Sequence, residues 1–147
     1  MAVERGVIRN RAFAQQIRDF SGLRFGNITP TDIDAFIEVA DRTFILMESK
    51  HGTSPLPLGQ RLALERLVDA CFEAGKDAIL FILTHNTRED IDYANCQVIK
   101  YRYEKVWHDI KEPITAKEAC QGFIDAAAAR RKAMIEKLVL HNSQKVS

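Results

Sequence analysis

Two hydrophobic periods take turns along the chain. In "RAFAQQIRDF" (residues 11–20), Phe13, Ile17 and Phe20 fall at i, i+4 and i+7, which predicts one apolar face of a helix. Gly22 and Gly26 break that pattern, and Pro30 starts the next element. From Pro57 the helical period returns. "LGQRLALERLVDACFEAG" sets Gln60, Leu64, Leu67 and Cys71 on one face, with Val68 and Phe72 alongside and Gly75 as a stop. "DAILFILTH" is a continuous apolar run, the pattern of a strand buried on both faces. "CQVIKYRYEKVW" alternates in part and reads as a strand with one wetter face. Thr115 and Glu118 form a capping box that opens a helix to about residue 140. Its expected inner face is Ala116, Cys120, Phe123, Ala127, Met134 and Leu138; its exposed half carries Arg130, Arg131, Lys132 and Lys137. The order helix, strands, helix, strand, strand, helix predicts an α/β layered domain.

Residues 27–52, "NITPTDIDAFIEVADRTFILMESKHG", place Asp32, Asp34, Glu38, Asp41, Glu48 and Lys50 among apolar neighbours. Residues 43–49 read as a strand from their Phe, Ile and Thr content. Residues 31–40 fit two periods. Thr31 with Asp34 imitates a capping box, and Ile33, Phe36, Ile37 and Ala40 follow at i, i+3, i+4 and i+7, so periodicity alone favours a helix. The strand alternative is geometrically sharper. A hairpin turning at Ala40, Asp41 and Arg42 pairs positions that sum to 82. Asp34 then faces Glu48, and Asp32 faces Lys50, with Cβ atoms about 4.5–5.5 Å apart.

Two carboxylates so opposed repel unless a proton or cation intervenes. Hard oxygen ligands suit Mg²⁺ or Mn²⁺. Lys50, on the same sheet face as Glu48, adds a proton donor or acceptor. A metal-activated water, a Lewis acid on the phosphoryl oxygen and a cation for developing charge are what phosphodiester cleavage needs.

Asp34, a hairpin, then Glu48-Ser49-Lys50 resembles the D…ExK core of the PD-(D/E)XK, or restriction-endonuclease-like, nuclease superfamily. The "GQR" at residues 59–61 is similar to the glutamine motif of several branches, and the whole "TDIDAFIE…FILMESK…LPLGQRLALERL" stretch resembles small phage-type members. The resemblance covers roughly residues 9–85. It implies one nuclease-like domain over residues 1–147, with a core at about 9–110, a C-terminal helix at about 115–140, and a central mixed β-sheet flanked by α-helices. It further implies that Asp34, Glu48 and the Ser49 backbone carbonyl hold Mg²⁺ (or Mn²⁺). Lys50 orients or activates the attacking water, and Gln60 positions the water or Lys50. The superfamily's "PD" is absent: Ile33 precedes the aspartate and Pro30 stands four residues earlier. That leaves Asp32 and Asp34 both open as the ligand, with register favouring Asp34 and leaving Asp32 for a second metal or an outer role. The first-helix acid of some branches has Glu4, then Asp19, as its nearest counterpart. The expected partner is DNA, and many relatives dimerise to cut two strands, so a homodimer is a further candidate.

Composition changes this picture little. At 46% hydrophobic and 28% charged the 147 residues are ordinary globular sequence, and a net charge of +1 gives no global nucleic-acid signal. Cys71, Cys96 and Cys120 are odd in number and widely spaced, arguing against a disulfide framework or zinc site. Apolar runs fall short of a membrane span and no signal peptide is evident, so a cytoplasmic protein is expected. His51 and the Thr84-His85-Asn86 segment are loop or strand-end residues within reach of phosphate or ligand. Tyr93, Tyr101, Tyr103 and Trp107 suit packing or base stacking, and Arg130, Arg131 and Lys132 suit a solvated face or a DNA backbone. The same sequence also suits a non-catalytic DNA- or protein-binding factor that keeps the nuclease fold.

Overall fold

The computed structural model describes residues 6–17 and 19–145. They divide into two compact units, residues 1–32 and 33–147. In the N-terminal unit the expected helix shortens to α1 (Arg11–Ala14), capped by the Asn10 side chain and burying no residue. Phe13, Ile17 and Phe20 are exposed, so the apolar spacing that predicted a longer helix has no packing to stabilise it, and short helices without packing are marginal. A 3₁₀ turn at Ser21–Leu23 follows. Asp19 accepts the Ser21 N–H at 2.9 Å, and that hydrogen bonding holds its carboxyl below the usual range. Asp19 thus serves a local turn. Glu4 lies outside the described residues, and Asp32 falls in this unit.

The larger unit is α/β: a five-stranded mixed sheet flanked by helices. Its strands are β1 (Ala35–Val39), β2 (Thr43–His51), β3 (Asp77–His85), β4 (Gln97–Tyr103) and β5 (Val106–Asp109), in that spatial order. Only β2 and β3 run parallel, because α2 (Leu58–Glu73) crosses over between them. Residues 35–39 are therefore strand, not helix. Ala35 and Ile37 pack inward, while Phe36 turns outward and meets Phe44 edge-on at 5.7 Å. The ladder runs from Ala35↔Met47 to Val39↔Thr43, every pair summing to 82 as the hairpin reading requires. Ala40 (φ 53°) and Asp41 (φ 59°) make the turn in the left-handed region. Glu38 accepts the Asp41 N–H, and Lys76 reaches the Asp41 carbonyl and carboxylate, so the strain is held from two sides.

Each face of the sheet buries its own core. Leu46, Ala78, Leu80 and Ile82 pack on Leu64 and Val68 of α2. Ile45, Met47, Ile79, Phe81 and Leu83 pack with Val98, Cys96, Ala116 and Cys120 on the side of α3 (Ala116–Lys145). "DAILFILTH" is buried on both faces, as its run of apolar residues predicts. A fully buried aliphatic side chain contributes about 1.5–3 kcal/mol, so burial on both faces stabilises this central pair of strands.

Three details depart from the spacing argument. On α2, Val68 is buried and Leu67 is 41% exposed, because the buried row runs through Leu64 and Val68, with Cys71 half-buried beside it. The single expected strand at residues 96–107 is a hairpin. Glu104 and Lys105, both at positive φ, turn the chain between β4 and β5 without the usual Asn-Gly signal. The Thr115–Glu118 capping box forms as expected. The inner face of α3, however, ends near Ala127, and Met134 and Leu138 are more than half exposed. A 30-residue helix is about 45 Å long and overruns the sheet beneath it. No helix among the described residues is long and apolar enough to cross a membrane.

Candidate functional site

The site forms where β1 begins and β2 ends. Strand alternation puts Glu48 on the α2 face with Phe44 and Leu46, and its side chain is buried at 5% exposure. A buried carboxylate needs hydrogen-bond donors. Gln60, one helical turn before Leu64, supplies one: its Nε2 donates to Glu48 Oε1 at 2.7 Å. The Asp34 main-chain N–H points at Glu48 Oε2, 3.4 Å away. The GQ at the start of α2 and the acid of the ExK stretch thus meet directly, and the inward orientation expected for Gln60 is found.

Asp34 bridges the end of the ladder. Its main chain faces Glu48, while its carboxylate Oδ2 accepts the Ser49 N–H at 2.9 Å and the Ser49 hydroxyl at 3.1 Å. Ser49 follows Glu48 in β2, so its side chain lies on the opposite face of the strand. Lys50 returns to the Glu48 face and stands beside Thr84 in the parallel ladder. It is half-buried and has no hydrogen-bond or ion-pair partner among the described residues. Asp34, Glu48, Lys50 and Gln60 are therefore drawn to one end of the sheet. Asp32 falls in the N-terminal unit, and the β1 ladder itself begins at Ala35.

A residue that the sequence offered only for packing or base stacking also reaches the site. Tyr93, in the 3₁₀ turn Tyr93–Asn95, places its hydroxyl 2.7 Å from Ser49 Oγ. Burial raises the phenol well above its usual pKa; the Ser49 hydrogen bond opposes this, while hydrogen bonding to Asp34 and the Asp34 and Glu48 charges add to it. Tyr93 therefore carries its proton at any working pH. It lies 44 positions from Ser49, and only the long β3–β4 connection brings it near.

The other candidates divide. His51 and His85, neighbours across the parallel pair, meet edge-on at 5.4 Å between ring centroids. His85 Nδ1 lies 3.1 Å from the Thr87 carbonyl, so that nitrogen carries the ring proton and Nε2 is left as the acceptor. Thr84 donates to the Gly52 carbonyl, tying the ends of β2 and β3 together. Thr84, His85 and Asn86 line a cleft of about 360 Å³ with Ile91, Asp92 and Gln97. The aromatic residues are used for packing. Trp107 packs against the α2 side and donates to Glu65, with Lys100 over its ring; Tyr103 meets Phe123; Tyr101 stacks on His108. Arg130 and Arg131 both pair with Asp77, while Lys132 and Lys137 are exposed.

Among the described residues no group of three or more His, Cys, Asp or Glu side chains could hold a metal. The donor set that the sequence leads one to expect is the Asp34 and Glu48 carboxylates with the Ser49 main-chain oxygen. Its chemistry fits a hard divalent ion, being all oxygen, with waters to complete the shell. Asp34 Oδ2 takes both Ser49 hydrogen bonds, which leaves Oδ1 as the open oxygen.

No protein-family model, curated protein or solved structure matches the chain.

Proposed function

We propose that this chain is a Mg²⁺-dependent nuclease of the restriction-endonuclease-like kind, hydrolysing DNA phosphodiester bonds in the cytoplasm, in phage-type DNA processing. One observation carries the reading. Glu48, buried in an apolar strand, is held by Gln60 from α2 and faces the Asp34 main chain, with Lys50 two residues on. A strand that merely ran out into solvent would have no reason to bury Glu48 and bind it from two other elements.

Asp34, Glu48 and the Ser49 carbonyl are the groups that would hold the ion. When bound, a divalent cation supplies Lewis acidity toward a phosphoryl oxygen and lowers the pKa of water. Lys50, with no partner among the described residues, orients the attacking water through its ammonium group and stabilises the charge that develops on phosphate. Gln60 fixes the Glu48 carboxylate by donating to Oε1, leaving the other oxygen to face Asp34. Arg130 and Arg131 are already paired with Asp77, so the DNA backbone falls to other cations, such as Lys132 and Lys137.

The test is incubation of the purified protein with single-stranded, duplex and branched DNA plus Mg²⁺ or Mn²⁺. Cleavage of at least one substrate, abolished by EDTA, is the expected result. Failure on all three removes the enzymatic reading.

One observation favours a second reading, a non-catalytic DNA- or protein-binding factor on the same scaffold. The Asp34 and Glu48 carboxylates accept hydrogen bonds from Ser49, Gln60 and the Asp34 main chain, so donors of the protein itself serve both acids. Mn²⁺ titration separates the two: a ligand that binds only the folded state raises its stability, whereas a pure binding factor shows no shift.

A further inference from the structure

We infer that Tyr93 is a positioning residue for the carboxylate pair, acting through Ser49 on Asp34; this rests on the metal-site reading above. The direction of the hydrogen bonds follows from the donor inventory. The Asp34 carboxylate can only accept, so the Ser49 hydroxyl donates its one proton to Asp34 Oδ2. Ser49 Oγ is then an acceptor toward Tyr93, and the phenol must be the donor across the 2.7 Å contact. The relay runs one way: Tyr93 O–H to Ser49 Oγ, Ser49 O–H to Asp34 Oδ2. The Ser49 main-chain N–H adds a second donor to the same oxygen. Oδ2 is thereby occupied, the carboxylate plane is fixed, and Oδ1 is the oxygen left for a cation.

Packing alone does not account for the hydroxyl. The Tyr93 ring packs against the α3-side core with Cys96 and Val98 nearby, a role phenylalanine would fill. A half-buried hydroxyl costs free energy unless it is bonded; its 2.7 Å contact goes to the serine that itself bonds Asp34, and it also interacts with Asp34 directly. The turn that carries it is itself fastened. Asp92 accepts the Ala94 N–H and the Asn95 side-chain amide, and the Cys96 N–H returns to the Tyr93 carbonyl. Beyond it, the Ala116 N–H binds the Cys96 carbonyl, joining the turn to the start of α3. A rigid support behind a metal ligand is the arrangement whose loss weakens metal binding about 10–100-fold in known sites.

The experiment compares Mn²⁺ binding by the full chain with that of Tyr93→Phe, Ser49→Ala and the double variant. Their metal-free thermal stability serves as the check on folding. Each single change is expected to weaken Mn²⁺ about 10-fold. The double variant should be no weaker than Ser49→Ala alone, because the Tyr93 effect passes through the Ser49 hydroxyl. Metal-free hydrogen exchange at the Ser49 N–H gives an independent readout, expected to rise several-fold in Tyr93→Phe as Asp34 loosens. Mn²⁺ binding and Ser49 exchange both unchanged in Tyr93→Phe overturn the inference, as do multiplicative effects in the double variant. Faster exchange in a protein that binds no Mn²⁺ at all keeps the positioning role and overturns the metal reading on which it was built.

Discussion

Replacing Lys50 with alanine is expected to reduce metal-dependent DNA cleavage by about 10²–10³-fold, the usual cost of deleting one group that stabilises transition-state charge. The reason is its isolation. The arginines of α3 are tied to Asp77, and Arg102 is held by Asp69 through two hydrogen bonds, whereas Lys50 has no partner in the described chain. An unpaired, half-buried ammonium two residues from a buried carboxylate is placed to act on something outside the chain. Because Lys50 is not among the proposed ligands, Lys50→Ala should still bind Mn²⁺ within about 2-fold of wild type, an effect far below a tenfold step in affinity. Steady-state cleavage and Mn²⁺ titration on the same preparation check both halves. Loss of metal binding along with activity would assign Lys50 to folding instead.

The second large effect belongs to Glu48. Glu48→Gln keeps the size of the side chain and the contact with Gln60, whose amide can rotate to match, but it removes the charge. It should lower Mn²⁺ affinity at least 10-fold and abolish the metal-induced rise in melting temperature. Metal-free melting should change little, since a neutral amide is cheaper to bury than a carboxylate at 5% exposure. Thermal scans with and without Mn²⁺ decide it. An undiminished metal-induced shift in Glu48→Gln would show that Glu48 is only a satisfied core acid.

Much of this site was legible in the chain, for a physical reason. A hairpin register is set by its turn, and the turn at Ala40–Arg42 was marked by charged residues between two apolar runs. Once that turn is placed, the ladder from Val39↔Thr43 to Ala35↔Met47 follows by counting, and Asp34 comes just beyond it with its N–H toward Glu48. The ambiguity at residues 31–40 was equally physical. Ile33, Phe36, Ile37 and Ala40 satisfy a helical period, and only the tertiary structure decides. β2 offers Ala35 and Ile37 a core, and leaves Phe36 to an exposed contact with Phe44. Gln60 was legible as an inward residue because Leu64 and Cys71 share its face.

What was hidden depended on distance or on the end of packing. Tyr93 is joined to the site by a connection of irregular backbone, which no period encodes. The Glu104–Lys105 turn lacks the residues that usually announce positive φ, so one strand was expected where two exist. On α3 the helical period runs on past Ala127 to Met134 and Leu138, because periodicity is a local property and burial is not. The same holds for Phe13 and Ile17 in the N-terminal unit: an apolar face was present in the sequence, and α1 buries none of it.

The central claim is that Asp34 and Glu48 share one divalent cation. Crystals of the full chain soaked in Mn²⁺, measured for anomalous scattering, test it most directly. The predicted result is one peak in contact with both carboxylates and the Ser49 carbonyl, absent from Glu48→Gln crystals under the same soak. Well-ordered Asp34 and Glu48 side chains with no peak between them, still bonded to Ser49 and Gln60, would contradict it.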